Sequence, residues 1–259
     1  MNSIIEALSL LTPYDVNKCK VRIGHNRDGG YILLDDFAER LTVISYGIGN
    51  EYSFDEDMAK RGLNVYMFDH TIDGIKKISD HMKFFKEGVA GVTDQEKNLY
   101  TIEDHIRKYD LMDKKLIMKM DVDGAEYDAV GMASNDILAR FDQIVMEIHF
   151  LDRIGDEGFR FKFCKMMRKL NNLFTIFHVH LNNCDNPQRN FILPGVPIAC
   201  LLEVSFVRTV TILRYPSMTL YPTSLDFPGF PAENTLLWFF PFLPTSLPLS
   251  TFVNYEERK

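Results

Sequence analysis

The chain has 259 residues, 46% hydrophobic and 25% charged, which is ordinary globular usage and enough length for a large core. A net charge of −7 and a pI near 5.5 argue against a general nucleic-acid binder, which carries a basic face, and against a polybasic membrane-surface protein. The four cysteines (Cys19, Cys164, Cys184, Cys200) form no CxxC pair and no regular framework, so they read as reduced, mostly buried thiols of a cytoplasmic chain.

Residues 1–40 read as an N-terminal cap. "SIIEALSLL" is a short apolar start with no basic stretch before it, so it is not a signal peptide. "NRDGGY" (26–31) places two glycines after an acid, which makes a turn. From residue 41 strands and helices alternate. "LTVISY" (41–46), "NVYMFD" (64–69), the weaker "KFFKEGVA" (83–90), "KLIMKM" (115–120), "QIVMEIHF" (143–150), "FTIFHVHL" (174–181) and "ACLLEVSFV" (199–207) read as seven strands. Near-continuous apolar strands separated by helical stretches predict an α/β fold whose mostly parallel sheet is covered by helices on both faces. The helix after the first strand is signed by Ser53 and Glu56 as a capping box, by Phe54 and Met58 on one side, and by Gly62 just past its end. "DEGFRFKFCKMMRKLNNL" (156–173) is the helix before strand six, with Phe161, Phe163, Met166 and Met167 read as core. The long loop after strand six lets strands six and seven lie as antiparallel neighbours. The domain spans 41–210. In residues 211–259 the run "TLLWFFPFLPTSLPLSTFV" is long enough to span a membrane, but Pro241, Pro244 and Pro248 interrupt it. It reads as an irregular apolar tail packed on the domain or on a partner, and its Trp238, Phe239, Phe240 and Phe242 suit self-association or partner contact.

In such sheets ligands lie beyond the C-terminal strand ends, where the strand order switches. "YGIGNEYSF" follows strand one, and Gly47 and Gly49 allow a sharp turn and close approach to a ligand. Asp69 ends strand two 22 residues after Gly47, a spacing that suits a carboxylate on ribose hydroxyls; the bland alternative is a surface turn. The cofactor is then a dinucleotide or S-adenosylmethionine. Tyr52 stands where a dinucleotide fingerprint has its third glycine, which disfavours a pyrophosphate. An ammonium and a sulfonium suit a site rich in carboxylates.

These residues carry a resemblance. "YGIGNEYSF", "YMFDHT", "LYTIEDHI", "IMKMDVDGAEYDAV" and "QIVMEIH", together spanning about residues 41–150, resemble the FkbM-like S-adenosylmethionine-dependent methyltransferases. "RIGHNRDGGYIL" resembles a methyltransferase-like subgroup with an N-terminal DGGY motif. One departure is Asp123, where family members usually carry Glu. The resemblance implies a Rossmann-like, seven-stranded methyltransferase sheet with an antiparallel last strand, and methylation of a hydroxyl on a sugar, glycan or small metabolite. It assigns Gly47, Gly49 and Asn50 of the first motif, Asp69 and His70 of the second, and Asp121 and Asp123 to the cofactor. Val89 and Ala90, at the end of strand three, are placed to touch an adenine ring.

Period-two alternation puts Lys119 and Asp121 on one face of strand four, Glu147 and His149 on one face of strand five, and His178, His180 and Asn182 on one face of strand six. Lys119 is placed to pair with Glu147 across neighbouring strands, as a structural ion pair or as part of the catalytic set. His149 is the chosen general base, with His180 next, because an imidazole near its ordinary pKa can take a proton from a hydroxyl. Asp121 orients cofactor and acceptor. Asp28, Tyr31, Glu147, Asn182 and Asn183 are placed against the acceptor, Asp28 and Tyr31 as a flap or as a plain turn. Asp121, Asp123, Glu147, His149 and His180 also form a set that suits Mg²⁺, although no ligand spacing demands a metal. Two competing readings stand beside the methyltransferase: an NAD-type oxidoreductase, and a catalytically silent nucleotide-binding or assembly module.

Overall fold

The computed structural model describes residues 2–37, 41–76, 79–183, 190–193, 196–229, 236–237 and 241–242. Its centre is a seven-stranded sheet of β1 (Leu41–Tyr46), β2 (Asn64–Phe68), β3 (Met82–Phe85), β4 (Lys115–Met120), β5 (Phe141–Ile148), β6 (Phe174–Leu181) and β7 (Leu202–Arg208). The order across the sheet is β3-β2-β1-β4-β5-β7-β6. β1, β2, β3, β4 and β5 pair in parallel, while β7 runs antiparallel to both β5 and β6. This is the Rossmann-like, methyltransferase-type sheet, with its last strand inserted antiparallel. The strand order reverses between β1 and β4, and the ligand crevice of such a sheet lies there.

The strands form where β-branched and long apolar side chains dominate, and polar residues within them, such as Lys119, Glu147, His178 and His180, are themselves buried. Ile117 and Met118 face opposite sides of β4, and both are fully buried, as expected for a strand covered on both faces. One face packs on α1 (Asn2–Ser9), α3 (Ile102–Lys108), α4 (Glu126–Met132), α5 (Asn135–Leu138) and α6 (Glu157–Leu173) through Ile44, Met118, Met120, Ile144 and Met146. The other face is covered differently. Among the described helices only α2 (Ser53–Lys60) packs there, beside an N-terminal hairpin of Lys20–Ile23 and Tyr31–Leu34. The hairpin takes the place of further helices, and it does so by hydrogen bonds as well as apolar contact. The Gln143 side chain accepts from Leu34 N at 2.7 Å and donates to Leu34 O at 3.1 Å, and Ser205 Oγ donates to Ile32 O at 2.7 Å.

Several expectations change. Residues 1–40 do not act as one cap, because α1 and the hairpin lie on opposite faces. "KFFKEGVA" splits: β3 ends at Phe85, and Gly88–Val89 pairs instead with Leu99–Tyr100. Ser53 is the first residue of α2 and makes no capping box. Its N–H goes to Glu51 Oε1 and its hydroxyl accepts from His25 N. The box forms at Thr101 and Asp104, at the start of α3. Phe161 lies on the outer side of α6 and is 70% exposed, whereas Phe163, Met166 and Met167 are core. Among the described thiols Cys19 is exposed, and Cys164 and Cys200 are half-buried. Of the C-terminal segment, Arg214–Pro216 pairs with Tyr14–Val16, and Tyr221, Leu237 and Phe242 are buried. Trp238, Phe239, Phe240 and Cys184 lie outside the described residues. No helix among the described residues is long and apolar enough to cross a membrane.

Candidate active site

A cavity of about 400 Å³ opens at the switch point between β1 and β4. Its floor is the turn after β1. Gly47 has φ +73°, and a Cβ there would stand 1.6 Å from the Asp121 carbonyl, so the two strand ends approach this closely only with glycine. Gly49, at φ +54°, has nothing within 4 Å of a Cβ position and presents bare backbone to the cavity. Asn50, His70, Val89, Asp121 and Asp123 line the same space, and Ala90 does not. Phe68, Gly88 and Val89 supply apolar lining.

Asp69 does other work than the spacing predicts. Its Oδ2 accepts from Ile48 N and Gly49 N, both at 2.9 Å, and its Oδ1 accepts from Thr71 N and Thr71 Oγ1 at 2.7 and 2.6 Å. Those four donors fill the acceptor sites of a carboxylate, so Asp69 knits the glycine turn to the end of β2 instead of offering itself to a ribose. Burial raises its pKa, but the bonds from Gly49, Thr71 and Ile48 leave it below the usual range.

The lining holds six carboxylates, Asp28, Glu51, Asp55, Asp69, Asp121 and Asp123, against one lysine, Lys119. Lys119 is 3% exposed. It donates to the Gly47 carbonyl and stands 3.5 Å from Asp121 Oδ2. The expected Lys119–Glu147 pair does not form. The β4–β5 register sets Val145 beside Lys119, with Glu147 two residues further along. Asp55 is buried, with one carboxylate oxygen lacking a partner. Burial raises its pKa to about 6 despite Lys119 nearby.

Beyond Asp121 the strand ends of β4 and β5 bring a second group together. His149 Nε2 lies 3.7 Å from Asp121 Oδ1, 3.5 Å from Asp123 Oδ1 and 3.5 Å from Glu147 Oε2. Its Nδ1 stands 3.3 Å from Glu126 Oε1. Glu126 is fully buried and accepts from Gly124 N and His149 N, so it ties the turn after β4 to the end of β5. Burial lowers the His149 pKa, but Glu126, Asp121 and Asp123 outweigh it and the net shift is upward. Glu147 is held well above the carboxylate range, first by burial and then by Asp121, Glu203 and Asp28. The hairpin closes over this group. Tyr31, 2% exposed, directs its hydroxyl at Asp121 Oδ2 (3.3 Å) and Glu147 Oε1 (3.5 Å). Asn182 Nδ2 bridges Asp28 Oδ1 and Glu147 Oε1 at 3.1 and 2.9 Å.

The structure thus gathers Asp28, Tyr31, Asp121, Asp123, Glu147, His149 and Asn182. His180 Nδ1 stands 3.0 Å from Glu203 Oε2, on the strand next to Glu147, and like Tyr31, Glu147, His149 and Asn182 it is not itself a cavity-lining residue. Asn183 is buried and lies outside the lining. His178 points elsewhere, to Asp226 at 2.7 Å. Sequence reading missed Asp55, Glu51 and the role of Glu126. Asp55 had a signal: it stands three and four residues before Met58 and Ala59, on the buried stripe of α2.

No family model and no curated protein matches the chain. Among solved structures it is similar to a provisionally named hemolysin from Streptococcus thermophilus (12% identity, 70% of this chain and 72% of that chain, TM-score 0.35). It is also similar to two mutants of the 16S rRNA (adenine(1408)-N(1))-methyltransferase from Catenulisporales acidiphilia. One has 11% identity, covers 68% and 95% of the two chains and has a TM-score of 0.32. The other has 11% identity, covers 73% and 97%, and has a TM-score of 0.30. At TM-scores below 0.5 these likenesses carry no argument, and the strand order of the chain itself carries the fold.

Proposed function

We propose that this protein is an S-adenosylmethionine-dependent methyltransferase of FkbM-like type acting on a hydroxyl of a sugar, glycan or small metabolite. The observation that carries the reading is the charge of the cavity: six carboxylates and one lysine beside a glycine turn at the switch point. Such a lining favours a ligand with cationic groups and repels a pyrophosphate, which weighs against an NAD-type oxidoreductase. A silent module would keep this concentration of acid, with Asp55 and Asp69 buried, at a cost in stability and without use.

The residues present fit the cofactor. Gly47, Gly49 and Asn50 would hold its amino-acid end, Phe68, Gly88 and Val89 its flat ring, and Asp121 and Asp123 its positive charges. Bound there, the cofactor supplies an electrophilic methyl group. The acceptor hydroxyl is placed by Asp28, Tyr31, Glu147 and Asn182, which meet above β5. During transfer to the acceptor oxygen, His149 Nε2 would take the hydroxyl proton. Glu126 beside Nδ1 favours the tautomer that leaves Nε2 free to accept. A general base contributes roughly 10²–10⁴-fold. Hydroxylated glycans and metabolites screened with methyl-labelled cofactor provide the assay. On an acceptor so found, His149→Ala is expected to lower kcat by that factor with cofactor affinity nearly unchanged, and wild-type turnover by the variant rejects His149 as the base.

A further inference from the structure

The cluster above β4 and β5 has a feature that a simple base does not need. Each member has one atom tied down and another aimed at a common point. Asp121 Oδ2 faces Tyr31 and Lys119 while Oδ1 turns to His149. Glu147 Oε1 takes Asn182 and Tyr31 while Oε2 turns to His149. His149 presents Nδ1 to Glu126 and Nε2 to the carboxylates. His149 is 7% exposed, and its Nε2 makes no hydrogen bond; the nearest carboxylate oxygens stand at 3.5 Å or more.

We propose that Asp121, Glu147 and His149 bind a divalent cation of the Mg²⁺/Mn²⁺ class. One ligand atom from each residue lies within 4.8 Å of the others. Ligands about 2.1–2.3 Å from one ion stand roughly 3 to 4.5 Å apart, so the spacing matches without large movement. Two carboxylates and open space toward Asp123 suit a hard cation that keeps water, and the imidazole moves preference toward Mn²⁺ over Mg²⁺. Tyr31, Asn182, Lys119 and Glu126 form the outer layer that orients ligands in metal sites. The site draws on the same cluster as the proposed methyl transfer and assigns it a loaded state, in which His149 would be a ligand, the cation would acidify the acceptor hydroxyl, and the released proton would leave to solvent past the exposed Asp123. The free imidazole and the cation are alternative ways to handle that proton, and metal dependence of turnover tells which operates.

The test is Mn²⁺ binding to chelator-treated full-length protein without cofactor, followed by electron paramagnetic resonance and calorimetry. One Mn²⁺ per chain is expected, with nitrogen hyperfine coupling from His149 in the wild-type spectrum. His149→Ala is expected to weaken binding at least tenfold, and Glu126→Gln ten- to a hundredfold. Asp73→Asn, at an exposed ion pair with Lys86, is expected to change nothing. Failure of the wild type to bind, absence of nitrogen coupling, or equal binding by folded His149→Ala overturns the site. Cofactor titration is run separately: Mn²⁺ binding without S-adenosylmethionine binding keeps the site and removes the methyltransferase reading, and the reverse removes only the site.

Discussion

Asp55 is the residue whose chemistry is least visible in the sequence and most exposed to measurement. It sits in the first turn of α2, 1% exposed, with its pKa raised to about 6 by burial. In the unfolded chain the same carboxyl ionises near the ordinary aspartate value of 3.8. Below that pH both states are neutral and the native state loses nothing. As pH rises toward 6 the unfolded state ionises and the native state does not, so native stability falls by about 3 kcal/mol and then levels off. Asp55→Asn removes this loss. Its urea midpoint is expected to gain on wild type between pH 4 and pH 7.5, and a difference that stays constant with pH contradicts the assignment. Asp69 teaches the complementary lesson. Its position after strand two was legible, but four local donors claim its oxygens, and hydrogen bonds of that kind depend on turn geometry that spacing does not encode.

At the scale of elements, β1, β4 and β6 coincide to the residue with runs that sequence alone marks out, because mainly apolar, β-branched or aromatic runs of six to eight residues have few other homes. The Lys119–Glu147 pair failed for a different reason. Alternation places both residues on the same face, but the stagger between parallel strands comes from the whole sheet, and it sets Val145 opposite Lys119. The hairpin was harder still. "KVRI" is short and half polar, and nothing local says that a strand pair, not a helix, will cover β5 and β7. What holds it is Gln143, whose buried amide satisfies both backbone groups of Leu34. Gln143→Leu leaves Leu34 N unpaired, at about 1–3 kcal/mol, while Leu34 O keeps its bond from Asp36 N at 2.8 Å. The expected result is a lower melting temperature together with weaker acceptor binding, since the hairpin carries Asp28 and Tyr31 to the site. An unchanged melting temperature shows that the hairpin is held by apolar packing alone.

Across the whole molecule, the fold was legible as a class and the site as a region. Alternating strands and helices gave the sheet, and the switch-point rule gave the crevice beside Gly47 and Asp121. Asp121, Glu147 and His149 were legible as one strand-end set and Asp28 and Tyr31 as a flap, but the pairing of that flap into a hairpin and the place of Glu126 behind His149 came only from tertiary structure. Six carboxylates and one lysine line this cavity, and the account depends on that local excess selecting a cationic cofactor. The most direct test is calorimetric titration of the wild-type protein with S-adenosylmethionine and, separately, with NAD. Saturable binding of S-adenosylmethionine, weakened by Asp121→Asn, with no heat from NAD, is the predicted result. Binding of NAD without S-adenosylmethionine contradicts the account.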